Sequence, residues 1–269
     1  MTRRDITPVF PRSARGIVGA LTVAAALGAA AVAPAAAPAA PLHVLVTDDD
    51  GVHAEGIDTL ARGLMRRAGV RVTIVAPATN QSGTADRMTR GRVRTHRTRT
   101  RSGLPAVAVH GTPARAVRHA LRRVLRGDRP DLVVSGINDG ANPGPIATEV
   151  SGTVGAARYA ARRGLPALAT SQGRRTRGAT RYGAALRMTL RWFDAHRDAL
   201  RPGTVTNLNT PSCSRGSPRG LLRTVLATTL PPGVRRFRSV DCTRPATRPA
   251  DDVSAFLAGW ATVTGVPPR

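Results

Sequence analysis

A chain of 269 residues with 41% hydrophobic content is long enough to bury a large core and too apolar to be disordered. All 41 basic residues are arginine and the formal net charge is +25, but the arginines are scattered through a sequence also rich in Ala, Gly and Pro. That pattern marks compositional bias rather than a nucleic-acid surface, so no specific nucleic-acid partner is expected, although anionic ligands remain favoured. Aromatic residues are only 3%, which leaves Ala and Val to fill much of the core.

Residues 1–40 stand apart. Arg3, Arg4, Arg12 and Arg15 precede the apolar run "GIVGALTVAAALGAAAVA", and small residues with two A-x-A sites follow. This is the pattern of a secretory signal peptide, and it predicts cleavage, a secreted protein and no stable membrane anchor. A retained anchor is the alternative, because the run is about long enough to span a bilayer. Only Cys213 and Cys242 are present. In an exported protein they either pair or remain as two thiols.

From residue 42 the chain alternates between apolar runs and helical stretches. "LHVLVT" (42–47) reads as a buried strand, 57–69 as an amphipathic helix, and "VRVTIVAP" (70–77) as a second strand. The Arg-rich segment 87–103 is an exposed β-ribbon or a solvated loop. A third strand follows at 105–111, and a helix at 113–127 has Pro113 in its first turn. "DLVVSG" (131–136) is another buried strand. A small-residue helix (151–164), a strand (165–171), a long helix (about 176–197) and "GTVTNLNTP" (203–211) complete the series. Such alternation predicts an α/β fold, a three-layer α/β/α sandwich around a mainly parallel, Rossmann-like sheet. The expected division is a leader over 1–40, a catalytic core over 41–211, an irregular Arg/Pro-rich arm over 212–250 and a tail element over 251–269.

In parallel sheets ligands bind beyond the carboxyl ends of the strands. Polar clusters stand at those ends. The first strand runs into Asp48, Asp49, Asp50 and Gly51; the second into "ATNQSG" with Ser82; "DLVVSG" into "INDGANPG" with Asn138 and Asn142. Ser151, Gly152 and Thr153 then open a helix. Adjacent carboxylates with amide and hydroxyl oxygens suit a hard divalent cation, which would also offset the repulsion among the aspartates. The helix start at "SGT" offers backbone N–H groups to an anion. A cation beside an anion cradle points to a phosphate ester.

These stretches resemble the SurE family of 5′/3′-nucleotidases. "VTDDDGVHAEGI", "IVAPATNQSG", "GTPA", "SGINDGANPG", "SGTVGAA", "TNLNTP" and the late "DVSAFLAGWATVT" are similar to its motifs, over about 42–266. The resemblance implies a SurE-like fold in an exported variant, and a metal-dependent phosphomonoesterase that converts nucleoside 5′- and/or 3′-monophosphates to nucleoside and phosphate. It implies Mg²⁺ or Mn²⁺ held by Asp49, Asp50, Ser82 and Asn138, with Asp49 and Asp50 catalytic. Asn142, Ser151, Gly152 and Thr153 fall on the phosphate side. A homodimer or homotetramer is expected. The sequence departs from the family at Asp48, where Asn is usual, at Arg115, and at Val150, where tyrosine is frequent.

Two other readings compete. "VLVTDDDGV" also fits the start of a haloacid-dehalogenase-type phosphatase, with Asp48 as nucleophile and Asp50 as acid/base. That class wants a basic residue, usually lysine, and the chain has no lysine; it also leaves "NQSG", "SGIN" and "SGTVGAA" unexplained. A non-catalytic exported binder of polyanions is the second, and retention of all four presumed ligands argues against it.

Overall fold

The computed structural model describes residues 40–234, 237–245 and 249–268. The expected leader falls, but for Ala40, outside the described residues. Among those described, no helix is long and apolar enough to cross a membrane.

The apolar runs become strands because β-branched residues pack well on a pleated surface buried on both faces. β1 (Leu42–Thr47) is the centre, with every residue after Leu42 buried. It pairs in parallel with β2 (Val70–Pro77) on one side and β5 (Leu132–Asp139) on the other. β3 (Thr95–Arg99) and β4 (Pro105–Val109) extend the first side, and β6 (Ala167–Gln172) and β7 (Val205–Thr210) the second. β3 runs antiparallel to β4 and is largely exposed, so the Arg-rich segment is an edge ribbon. Its charges discourage pairing with another chain.

α1 (Glu55–Met65) and α5 (Gly183–His196) cover one face of the sheet. Ile57, Leu60, Ala61 and Leu64 make the buried stripe of α1, at helical spacing. α2 (Pro113–His119), which runs on through a π turn to Val124, and α4 (Gly152–Ala161) cover the other. All ten residues of α4 are buried, and its small side chains let it lie close to the sheet. The result is the expected three-layer α/β sandwich.

Some elements differ from expectation. A short helix, α3 (Gly144–Val150), stands between "NDGAN" and α4. The 212–250 arm is not wholly irregular. β8 (Cys213–Arg215) pairs with β10 (Val240–Asp241), and Cys213 and Cys242 form a disulfide with Cα atoms 5.5 Å apart. β9 (Leu221–Thr224) joins the main sheet. The tail supplies α6 (Asp252–Leu257) and β11 (Ala261–Val266), which lies antiparallel to β7 and parallel to β9. "ATVTGV" alternates with period two, the signal of a strand with two unlike faces.

Candidate functional site

The carboxyl ends of β1, β2 and β5 and the N-terminus of α4 converge on a cavity of about 410 Å³. Asp49, Ser82, Asn138, Asn142 and Ser151 line it together. Five of the eight site residues expected from sequence therefore face one space. The other three, Asp50, Gly152 and Thr153, are not among its lining residues but adjoin them, through the Thr153–Asp49 and Asp139–Asp50 bonds.

The chain bends just after β1, and the three aspartates turn different ways. Asp49 turns toward α4, where its Oδ1 accepts a 2.5 Å hydrogen bond from the Thr153 hydroxyl. The predicted phosphate-side Thr153 thus spends its hydroxyl on orienting Asp49, and only its backbone N–H is left for an anion. Gly152 permits this approach: a Cβ there would lie 2.8 Å from the Asp49 Cβ and 2.9 Å from its Oδ2. Asp50 accepts from Asn80 Nδ2 at 2.9 Å and from the Asp139 N–H at 2.6 Å. Asp48 is fully buried, and its Oδ1 takes the Asp49 N–H at 2.9 Å while its Oδ2 has no partner. Asp48 does not line the cavity, which counts against its use as a nucleophile.

Burial drives the Asp48 carboxyl well above the usual carboxylate range, and the Asp50 and Asp49 charges add to the effect. Burial also raises Asp49, to about 6, against the opposing bond from Thr153. Asp50 is raised by burial too, in part offset by the Asp139 amide. Three desolvated carboxylates in sequence repel, and a divalent cation among them would remove that cost. Among the described residues no group of three or more His, Cys, Asp or Glu side chains is placed to hold a metal, so carboxylates alone do not make the site. The donor set is mixed. Ser82 sits in the loop after β2, which Asn80 shapes by accepting the Ser82 N–H at 2.9 Å. Asn138 donates from Nδ2 to the Gly140 carbonyl, leaving its Oδ1 uncommitted. Carboxylate, amide and hydroxyl oxygens of this kind fit a hard divalent cation.

The end of β5 is shaped to present Asn138. Its register with β6 shifts between Ser135 and Asn138, the kind of irregularity that re-aims a side chain at a site. Gly136, at φ +134°, makes the shift possible: a Cβ there would lie 2.2 Å from the Thr170 carbonyl oxygen.

Sequence reasoning missed a set of supporting residues. The Asn142 N–H donates to Asn209 Oδ1 at 2.7 Å, its carbonyl accepts from Asn207 Nδ2 at 2.9 Å, and its own Nδ2 reaches the Ser171 hydroxyl at 3.1 Å. β7 thus grips the backbone of the Asn142 loop through two buried asparagines. The signal was present in "TNLNTP", because asparagines in a buried strand need partners. Arg174, Leu230 and Phe237 also line the cavity and were not singled out.

At the level of known proteins, the family model described as Survival protein SurE matches residues 44–230. The chain is 45% identical over 131 residues to "5′-nucleotidase SurE" of Desulfatibacillum aliphaticivorans, covering 48% of this chain and 50% of that protein. It is 33% identical over 196 residues to the protein of the same name in Methylorubrum extorquens (strain PA1), covering 67% and 70%. The chain thus spans half to 70% of the length of these curated relatives. In structure it is similar to the SurE protein from Aquifex aeolicus, with a TM-score of 0.69 and 25% identity over 84% of this chain and 94% of that one. Motif order, sheet topology and a match across more than half its length agree, and the chain belongs to the SurE family.

Proposed function

We propose that the protein is a metal-dependent phosphomonoesterase that hydrolyses nucleoside 5′- and/or 3′-monophosphates. The observation that carries this reading is the contact of Asp49 with the first turn of α4. It sets a candidate metal-ligating carboxylate directly beside backbone N–H groups able to take a phosphate.

Asp49, Asp50, Ser82 and Asn138 would hold the cation, Mg²⁺ or Mn²⁺. When bound, it supplies Lewis-acid polarisation of the phosphoryl oxygens and a lowered pKa for water. The chain's own residues do the rest. The Gly152 and Thr153 amides, at a helix N-terminus whose third amide is already capped by the Ser151 hydroxyl at 3.2 Å, bind phosphoryl oxygens and stabilise charge developing there. Thr153 fixes the Asp49 carboxylate, and the Asp139 amide and Asn80 fix that of Asp50, so neither must reorganise during in-line attack by water. Asn142, gripped by β7, borders the phosphate side.

The experiment is phosphate release from a panel of nucleoside monophosphates with Mg²⁺, with Mn²⁺ and with EDTA. The reading expects release that EDTA abolishes and added cation restores. Release unaffected by EDTA, or none from any nucleotide, contradicts it.

The leader pattern supports export, with the mature N-terminus near residues 36–41. N-terminal sequencing of the extracellular protein tests this, and an intact Met1 there contradicts it. A homodimer or homotetramer is proposed with the family reading; the mass in solution decides.

A further inference from the structure

Compositional bias sets how many arginines a chain carries, not where the fold puts them. Seven of the fifteen residues 87–101 are arginine and none is acidic, against 41 arginines in the whole chain of 269. The segment runs from the loop after β2 into β3, the edge strand of the nine-stranded sheet. Arg90, Arg92, Arg94 and Arg97 are exposed, and none of their guanidinium groups hydrogen-bonds or ion-pairs with another described residue. We propose that this ribbon binds the phosphate backbone of nucleic acid without reading its sequence.

Protection of the sheet edge does not account for the run. A charge or two suffices to stop an edge strand from pairing with another chain. Arg97 and Arg99 supply that within β3, whereas Arg90, Arg92 and Arg94 precede the strand. Elsewhere arginines find carboxylates: Arg67 pairs with Asp194, Arg71 with Asp128 and Arg162 with Asp86.

The segment is also held in shape. Arg115, where the sequence departs from the family pattern, donates to the Gly91 carbonyl at 2.7 Å and to that of Thr89 at 3.4 Å. The Thr112 N–H donates to the Thr89 hydroxyl at 2.9 Å, and the His110 N–H to the Arg94 carbonyl at 2.9 Å. From there β3 pairs with β4, from Thr95 opposite Val109 to Arg99 opposite Pro105. A backbone fixed in this way needs no ordering on binding. Alternate residues of a strand project to one side about 7 Å apart, inside the Debye length of about 8 Å at physiological salt, so the fields of Arg97 and Arg99 reinforce each other.

Chemistry selects the partner. The planar guanidinium fork matches two phosphate oxygens at once. The run has no Phe, Tyr or Trp on which a base could stack, and β4 is held between β3 and β2, so the ribbon does not stand free to enter a groove. Contact is therefore with phosphates, which carry no sequence information. Met88 and Val93, the apolar residues of the run, pack against the core, which leaves nothing to insert into a bilayer. Binding of this kind is independent of the phosphomonoesterase reading.

The test titrates the full chain with a fluorescent DNA duplex across salt concentrations. The duplex lacks terminal phosphates, so it offers the cavity no monoester. At physiological salt Kd should be about 10⁻⁴–10⁻⁶ M, and two unrelated sequences should bind alike. Arg90→Gln, Arg92→Gln, Arg94→Gln and Arg97→Gln together should flatten the slope of log K against log salt by about 3.6, at about 0.9 per phosphate contact. Lysine at the same four positions keeps the charge and should retain the slope. A control with Arg66→Gln, Arg187→Gln, Arg191→Gln and Arg201→Gln loses equal charge from exposed positions elsewhere, and it should retain the slope too. Equal flattening in the ribbon and control variants overturns the inference, because net charge alone then explains binding. An unchanged slope in the ribbon variant, no binding at low salt, or strong preference for one sequence also overturns it. Phosphatidylglycerol vesicles are titrated alongside. Ribbon-dependent binding to vesicles but not to DNA gives the surface to lipid and overturns the inference as well.

Discussion

Replacing Asn209 with alanine isolates the support that β7 gives the phosphate-side loop. Asn209 is fully buried, and its Oδ1 takes the Asn142 N–H at 2.7 Å, whereas its Nδ2 has no partner. Truncation therefore removes one satisfied acceptor and one orphan donor, and strands a single backbone N–H. Such a group costs about 1–3 kcal/mol, and loss of the orphan donor should hold the total toward the lower end. In a domain of this size each kcal/mol lowers Tm by about 2–4 °C. If the loop then samples positions away from the cavity, kcat/KM falls about tenfold for each 1.4 kcal/mol lost at the transition state. The assay is AMP hydrolysis well below the variant's own Tm, with thermal melts in parallel. A lowered Tm with unchanged kcat/KM would refute the positioning role and leave Asn209 a merely structural residue.

Asn138→Ala should weaken divalent-cation binding, so that added Mn²⁺ raises Tm less than in wild type; an equal shift counts against Asn138 as a ligand. Asp58 is pulled upward by burial, but bonds from the Ser102 side chain, the Thr100 hydroxyl and the Ser102 amide outweigh this and hold its pKa below the usual value. A depressed carboxylate stabilises the fold above its unfolded pKa and loses that contribution as pH falls through the folded one. Asp58→Asn should therefore cost stability at neutral pH and progressively less below about pH 4, seen in urea midpoints across pH. Gly136→Ala puts a Cβ 2.2 Å from a carbonyl oxygen at φ +134° and should cost about 3 kcal/mol or more, by the same measurement.

The sheet and its layers were legible because hydrophobic periodicity is a local property of β1, β2, β5 and α1. The site was legible because each polar cluster directly follows a strand. Less visible were features that depend on residues far apart in sequence. β9 and β11 read poorly since β9 depends on pairing with β11, and β11 in turn on β7, all from separate parts of the chain. α3 has only seven residues and two small-residue turns around it. The direction of each aspartate was also hidden: that Asp48 turns into the interior while Asp49 meets Thr153 depends on a helix more than a hundred residues onward. The arm's role in the cavity came from Asp252, which binds two distant amides that no spacing rule connects.

The central claim is that Asp49, not Asp48, serves the reaction. The most direct measurement is AMP hydrolysis by wild type, Asp48→Asn and Asp49→Asn, side by side with saturating divalent cation. Asp49 lines the cavity and Asp48 does not. The account predicts that Asp48→Asn keeps substantial activity, since it replaces a buried carboxyl whose Oδ2 has no hydrogen-bond partner. Asp49→Asn should lose at least about a hundredfold in rate. The reverse order, or an aspartyl-phosphate trapped on Asp48, would contradict it.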